Sequence, residues 1–140
     1  MQNKPQFFID FDGTITRSDV VDMILERFAS PEWKKVEAEW AAGKIGSREC
    51  LSRQMALVSM KEADLKSILK DVEVDPHFAS FMKRAAEFNV PVTIVSDGFF
   101  SVIREVVKGK VPIYANDIKF SGKKVSMVFP KGEACEHGCA

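Results

Sequence analysis

Two aspartates, Asp10 and Asp12, follow an apolar run in FFIDFDGTIT at residues 7–16. Carboxylates at the end of such a run are costly unless something offsets their charge. On extended backbone, residues i and i+2 point the same way, so both carboxylates can face one spot. Gly13 allows a sharp exit turn, and Thr14 adds a hydroxyl. A divalent cation would relieve the repulsion. Mg2+ suits a site of this kind because it takes few carboxylates, keeps waters and accepts a phosphate oxygen. One carboxylate could attack phosphorus while the other moves a proton. A second polar tip, Ser96-Asp97-Gly98, follows the apolar run from Val90 to Val95. A serine hydroxyl and free backbone N–H groups at a helix start form a cradle for phosphate. Plain helix capping by Ser96 is the competing reading.

The elements that must position these residues follow from periodicity. Residues 6–11 predict a short strand covered on both faces. Val20, Val21, Ile24, Leu25 and Phe28 repeat at helical spacing, with Ser18 as the expected N-cap. Pro31 is expected at the first position of a second helix, which carries Trp33, Val36 and Trp40 and stops near Gly43. Ser47 is expected to cap a third helix, with Leu51, Met55 and Val58 inward. Ser59 and Glu62 have capping-box spacing ahead of a fourth. Asp75-Pro76 precedes a fifth, with Phe78, Phe81, Met82, Ala85 and Phe88 inward. A strand over 90–95, a helix over 99–108 closed by Gly109, a strand over 111–115 and a hairpin over 117–128 complete the chain. The fold class is therefore α/β, a Rossmann-like parallel sheet with helices on its faces. An all-helical block, residues 17–71, interrupts it after the first strand. That is the position of a cap over the carboxyl ends of the strands, with residues 1–16 and 72–140 forming the core.

The length, 140 residues, suits one domain with a real core. A formal net charge of zero gives no bulk attraction to nucleic acid or to an anionic membrane. No apolar stretch reaches transmembrane length, and MQNKPQ is no signal peptide, so a cytoplasmic location is expected. Three cysteines without framework spacing fit a reducing compartment. Cys135, His137 and Cys139 lie close in sequence, but C-x-H-x-C lacks the second ligand pair of a structural zinc motif. Asp19 and Asp22 flank the start of the helical block, where the helix dipole accounts for negative charge. His77 is expected to be exposed.

DFDGTIT at 10–16 and IVSDG at 94–98 resemble the first two motifs of the haloacid dehalogenase superfamily, in its phosphoserine phosphatase-like branch. The helical block resembles that branch's C1 cap. The resemblance implies a Mg2+-dependent phosphatase acting on a small phosphorylated metabolite. It implies Asp10 as the nucleophile that becomes an aspartyl-phosphate and Asp12 as general acid and base. It assigns Mg2+ to the Asp10 carboxylate and the Asp12 main-chain carbonyl. The phosphoryl group falls to Ser96, Asp97 and Gly98, with Gly13 and Thr14. Phosphoserine phosphatases carry a cap arginine that contacts the substrate carboxylate, and Arg53 stands in a similar context; a solvated Arg on an amphipathic helix is the competing reading. PEW at 31–33 and the tail FPKGEACEHGC resemble the methionine-salvage phosphatases of 2-hydroxy-3-keto-5-methylthiopentenyl-1-phosphate. A complete member also carries a later lysine and a later acidic pair. Neither stands in these residues, and Lys131 comes too early to be that lysine. The expectation is therefore an N-terminal portion whose core is completed by a continuation or by self-association. A domain that binds phosphate or a protein without turnover is the alternative class.

Overall fold

The computed structural model describes residues 3–131 and 135–140. Gly132, Glu133 and Ala134, within the tail string FPKGEACEHGC, lie outside the described residues. The element order is β1 (Phe7–Ile9), α1 (Val20–Phe28), α2 (Trp33–Ala41), α3 (Ser47–Ala56), α4 (Glu62–Leu69), α5 (Phe78–Glu87), β2 (Val92–Phe99), α6 (Phe100–Val106), β3 (Ile113–Ser121) and β4 (Lys124–Val128). The four strands form one sheet in the order β1-β2-β3-β4. β1 and β3 flank β2 in parallel, and β4 closes an antiparallel hairpin on β3 around Gly122-Lys123. The α/β class, the parallel sheet and the helical insertion after β1 are as the periodicity predicts. Among the described residues no helix is long and apolar enough to cross a membrane.

The sheet departs from expectation on one face. Register pairs Phe7, Phe8 and Ile9 with Val92, Thr93 and Ile94, and Val95 with Tyr114. Side chains alternate along a strand, so Ile9 and Ile94 share a face with Phe7. That face is the better covered, with Ile94 fully buried and the Phe7 ring, still 44% exposed, tilted against Phe81 of α5 at 5.4 Å. The opposite face carries Phe8, Val95 and Tyr114, which are 66%, 46% and 68% exposed. β1 is thus covered on one face only. The continuous apolar run is a strand as expected, but the expected cover on both faces is not present among the described residues. Phe88, expected inward on α5, is also exposed.

Local signals were shifted where tertiary partners claimed them. Asp19 caps α1, its carboxylate accepting the Asp22 N–H at 3.0 Å, while the Ser18 carbonyl accepts from the Thr16 hydroxyl. Pro31 lies two residues ahead of α2. Ser47 is the first residue of α3 rather than its cap, and its hydroxyl accepts from the Trp40 indole at 3.1 Å. Ahead of α4 the Lys61 N–H is given to the Asp64 carboxylate at 2.8 Å, while the Ser59 N–H is given to the Phe28 carbonyl. Asp75 accepts the His77 N–H at 2.8 Å, one turn ahead of α5. β2 runs on through Ser96-Asp97-Gly98 with a break in register, α6 is shorter than 99–108, and β3 is longer than 111–115. One core joins insertion and sheet: Ile24, Met55, Met60 and Ile68 pack in one cluster with Phe11, Ile94 and Ile103, all nearly inaccessible.

Candidate active site

The first strand's apolar run pairs in the sheet, and the chain must then turn away. Gly13, at φ +72°, supplies the left-handed residue of that turn. Its N–H is given to the Thr16 hydroxyl and the Thr14 N–H to the Phe11 carbonyl, so both amides are held within the turn. Thr14 lines a separate groove with Ile15, Phe78 and Phe81. Asp10 accepts the Phe11 N–H at 2.8 Å. The Asp12 carboxylate reaches the start of α1 and accepts the Val20 N–H at 2.8 Å. A helix N-terminus favours negative charge there.

β2 brings the second segment against the first. Gly98 packs so closely on Asp12 that a Cβ at this position would stand 2.5 Å from Asp12 Oδ2 and 3.1 Å from Ser96 Oγ. The missing side chain is what lets the two segments meet. Ser96 is buried, and its hydroxyl accepts the Gly98 N–H at 3.0 Å. Ser96 therefore shapes this loop and does not cap α6, whose N-cap is Phe99. Asn116 of β3, 2% exposed, donates its amide to the Asp97 carbonyl at 2.9 Å and ties the loop to the sheet. Asn116 went unremarked in the sequence, where its only signal is a polar residue in the strand stretch IYANDIKF.

Charge in this corner is uncompensated. Burial, then Asp19, with Asp97 and Asp10 behind it, pushes Asp12 up to about 7, against the lowering effect of the Val20 N–H. Burial and then Asp10 and Asp19 also raise Asp97. No ion pair among the described residues involves Asp10, Asp12, Asp19 or Asp97. Asp19, read from sequence only as a helix-dipole residue, is thus part of the same charge cluster. Among the described residues no group of three His, Cys, Asp or Glu side chains stands ready to hold a metal ion by itself. The thiols of Cys135 and Cys139 adjoin each other, and Cys50 is buried.

Above Asp97 a cavity of about 110 Å3 opens between the sheet and helices α1 to α3. Its walls include Asp19, Asp22, Glu37, Trp40, Leu51 and Gln54. Burial and the neighbouring Asp19, Glu37 and Glu26 raise Asp22 to about 6. Arg53 does not line this cavity. Its guanidinium forks onto Glu39 of α2 at 2.7 and 3.1 Å and reaches Glu49 at 3.4 Å. The sequence offers Arg53 as a substrate ligand or as a solvated helix residue; here it pairs with Glu39 and Glu49 of the insertion and stands outside the lining of this cavity. Glu37 and Gln54 of the cavity wall were not picked out from the sequence, because helix periodicity does not say which polar face is turned inward.

The family described as haloacid dehalogenase-like hydrolase matches residues 7–137. The chain is 30% identical, over 147 aligned residues, to a 2-hydroxy-3-keto-5-methylthiopentenyl-1-phosphate phosphatase of Brevibacillus brevis, covering 99% of this chain and 66% of that protein. It is 29% identical to the phosphatase of the same name from Bacillus mycoides, covering 96% and 64%. The chain thus spans less than two thirds, by a narrow margin for the first, of these curated relatives. Among solved structures, a substrate-bound phosphoserine phosphatase complex superimposes with a TM-score of 0.75 at 18% identity, over 92% of this chain and 64% of that one. A phosphoserine phosphatase carrying a phospho-aspartyl intermediate analogue gives 0.72 at 20% identity, over 91% and 64%.

Proposed function

The chain belongs to the haloacid dehalogenase-like hydrolase family, and from that premise we propose that its site hydrolyses phosphomonoesters of a small metabolite through Asp10 and Asp12. The observation that carries this reading is the packing of Gly98 on the Asp12 carboxylate, which joins DFDGT to SDG in one corner. An Asp10 oxygen attacks phosphorus, the bond from phosphorus to the ester oxygen breaks, and Asp12 gives its proton to the leaving oxygen. Water then attacks the phosphorus on Asp10 and passes a proton to Asp12; the bond from phosphorus to the Asp10 oxygen breaks, inorganic phosphate leaves and both carboxyl groups are restored. An Asp12 carboxyl that keeps its proton to about pH 7 suits the first of these steps. Ser96 and the backbone of Asp97 and Gly98 supply the polar wall for the phosphoryl oxygens.

The donor set fits Mg2+. It consists of hard oxygen groups crowded together with no cationic side chain paired to them among the described residues. The Asp10 carboxylate and the Asp12 carbonyl would hold the ion. When bound it offsets charge on the transferring phosphoryl group. Residues 17–71 serve as the cap and residues 1–16 and 72–140 as the core. Within the phosphatases, the two curated relatives and the short strings PEW and FPKGEACEHGC support the methionine-salvage reaction over phosphoserine hydrolysis.

The test is a screen of small phosphorylated metabolites with and without Mg2+, on this chain and on Asp10→Asn. Weak turnover that needs Mg2+ and is lost in Asp10→Asn is expected, because an amide is a poor nucleophile. Unchanged turnover in Asp10→Asn would falsify the aspartyl-phosphate route.

A further inference from the structure

We propose that Cys135 and Cys139 form a reversible oxidation site, separate from the phosphatase chemistry. Exchange with a low-molecular-weight disulfide joins the two sulfurs in one intrachain bond. That bond fastens the turn at residues 135–139 onto α3 of the helical insertion.

The turn, and not sequence spacing alone, brings the sulfurs together. The Cys135 carbonyl accepts the Gly138 N–H at 3.0 Å, and Gly138, at φ +67°, bends the chain back in the left-handed region. The Cys135 sulfur meets the Cys139 thiol and accepts the backbone N–H groups of Cys139 and His137. The Cys139 thiol, then these two amides, holds Cys135 below the ordinary thiol range, while the same contact raises Cys139. Both side chains are exposed, so a small reagent reaches them. Cys135 is therefore the attacking sulfur. Its thiolate bonds to one sulfur of the small disulfide and expels the other half as a thiolate. Cys139 then gives its proton to solvent, attacks the Cys135 sulfur and expels the second half. One pair of electrons passes from the protein to the small disulfide, which leaves as two thiols.

The same turn is seated on the start of α3. The N-cap of α3 is Gly46, which makes no side-chain capping bond. The Arg48 N–H, in the first turn of the helix, is instead given to the Gly138 carbonyl at 2.9 Å. That is the bond a capping side chain supplies elsewhere. Arg48 Nε also reaches the Cys139 carbonyl at 3.4 Å, and its guanidinium lies over the Phe129 ring at 4.5 Å. Gly46 sits so close that a Cβ there would stand 2.6 Å from the Gly138 carbonyl oxygen. Because the tail provides this cap, the hold on α3 depends on the turn keeping its shape. A bond between residues 135 and 139 removes most of the alternatives open to the undocked turn.

The test equilibrates the 140-residue chain with reduced and oxidised glutathione, alkylates the remaining thiols and weighs the C-terminal peptide that holds both cysteines. The peptide should be lighter by two hydrogens, and dithiothreitol should reverse this. Cys50, whose burial pushes its thiol up to about 11, should stay reduced and alkylate only after unfolding. Cys139→Ser should stop at a glutathione adduct on Cys135. Hydrogen exchange at the Arg48 amide should slow about tenfold in the oxidised chain, the scale expected when a short loop is closed. The chain with Cys135→Ser and Cys139→Ser together should show no such response to the oxidant. Glutathione adducts left on both cysteines, disulfides between chains, or Zn2+ binding that protects both thiols would overturn the assignment. An internal disulfide that leaves Arg48 exchange unchanged or faster would overturn the fastening of α3.

Discussion

Asp12 shows how much the site is shaped by proximity. An aspartate in water ionises near 4, whereas here burial and three neighbouring carboxyl groups hold the proton to about pH 7. Below about pH 4 the group is protonated in both the folded and the unfolded chain. Between there and about 7 only the unfolded chain releases it, so metal-free stability falls as pH rises through that window. Asp12→Asn should shrink this slope, leaving the part that the raised Asp22 and Asp97 contribute, and make the metal-free chain more stable than wild type at pH 8, while abolishing turnover. Thermal melts in chelator from pH 4 to 8 check it; an unchanged slope would mean that Asp12 is not the group responsible. Gly98→Ala makes the complementary prediction. Its methyl would stand 2.5 Å from Asp12 Oδ2, so the carboxylate must move. A displacement of that order costs about 10²-fold in rate when it misaligns a reacting group. The check is kcat for Gly98→Ala beside its circular dichroism spectrum, and normal kcat with a normal fold would show that Asp12 has room to spare.

At the scale of elements, α2 and α3 are clasped by the fork of Arg53 on Glu39. That pair is open to solvent, and such pairs contribute little. Arg53→Ala should therefore lower Tm slightly and leave KM for a natural substrate unchanged. A large rise in KM, with kcat for a minimal aryl phosphate untouched, would return Arg53 to substrate binding. The loop at the end of β2 is held differently, by the buried Asn116 amide on the Asp97 carbonyl and by the Ser96 hydroxyl on the Gly98 N–H. Buried polar contacts of this kind fix geometry, since leaving a partner unbonded inside the protein is expensive.

The whole molecule presents an apolar sheet face and a strand edge to solvent. Phe8, Val95 and Tyr114 lie open on one side of the sheet, and among the described residues β1 pairs only with β2. Edges and faces of this sort pair with other chains. The 140-residue chain is expected to self-associate through β1 and to be poorly active alone. Sedimentation across a range of concentrations should show dimers or larger species that Phe8→Lys reduces. A monodisperse wild-type monomer with full activity would show that the site needs no further residues.

The sequence by itself determined the α/β order and the helical insertion, because periodicity is a local fact, and the chemistry proposed for Asp10 and Asp12 starts from a carboxylate pair after an apolar run. It also carried the family, since DFDGTIT and IVSDG are short contiguous strings. Tertiary structure decided what depends on neighbours distant in the chain. Ser59 has capping-box spacing in sequence, yet α4 starts at Glu62 with Lys61 ahead of it, and Arg53, a candidate substrate ligand in sequence, pairs with Glu39 in the fold. Phe8 read as core because its strand is apolar throughout, yet nothing among the described residues covers it. A hydrophobic pattern states what a residue would gain from burial, and only the packed chain supplies the surface that buries it.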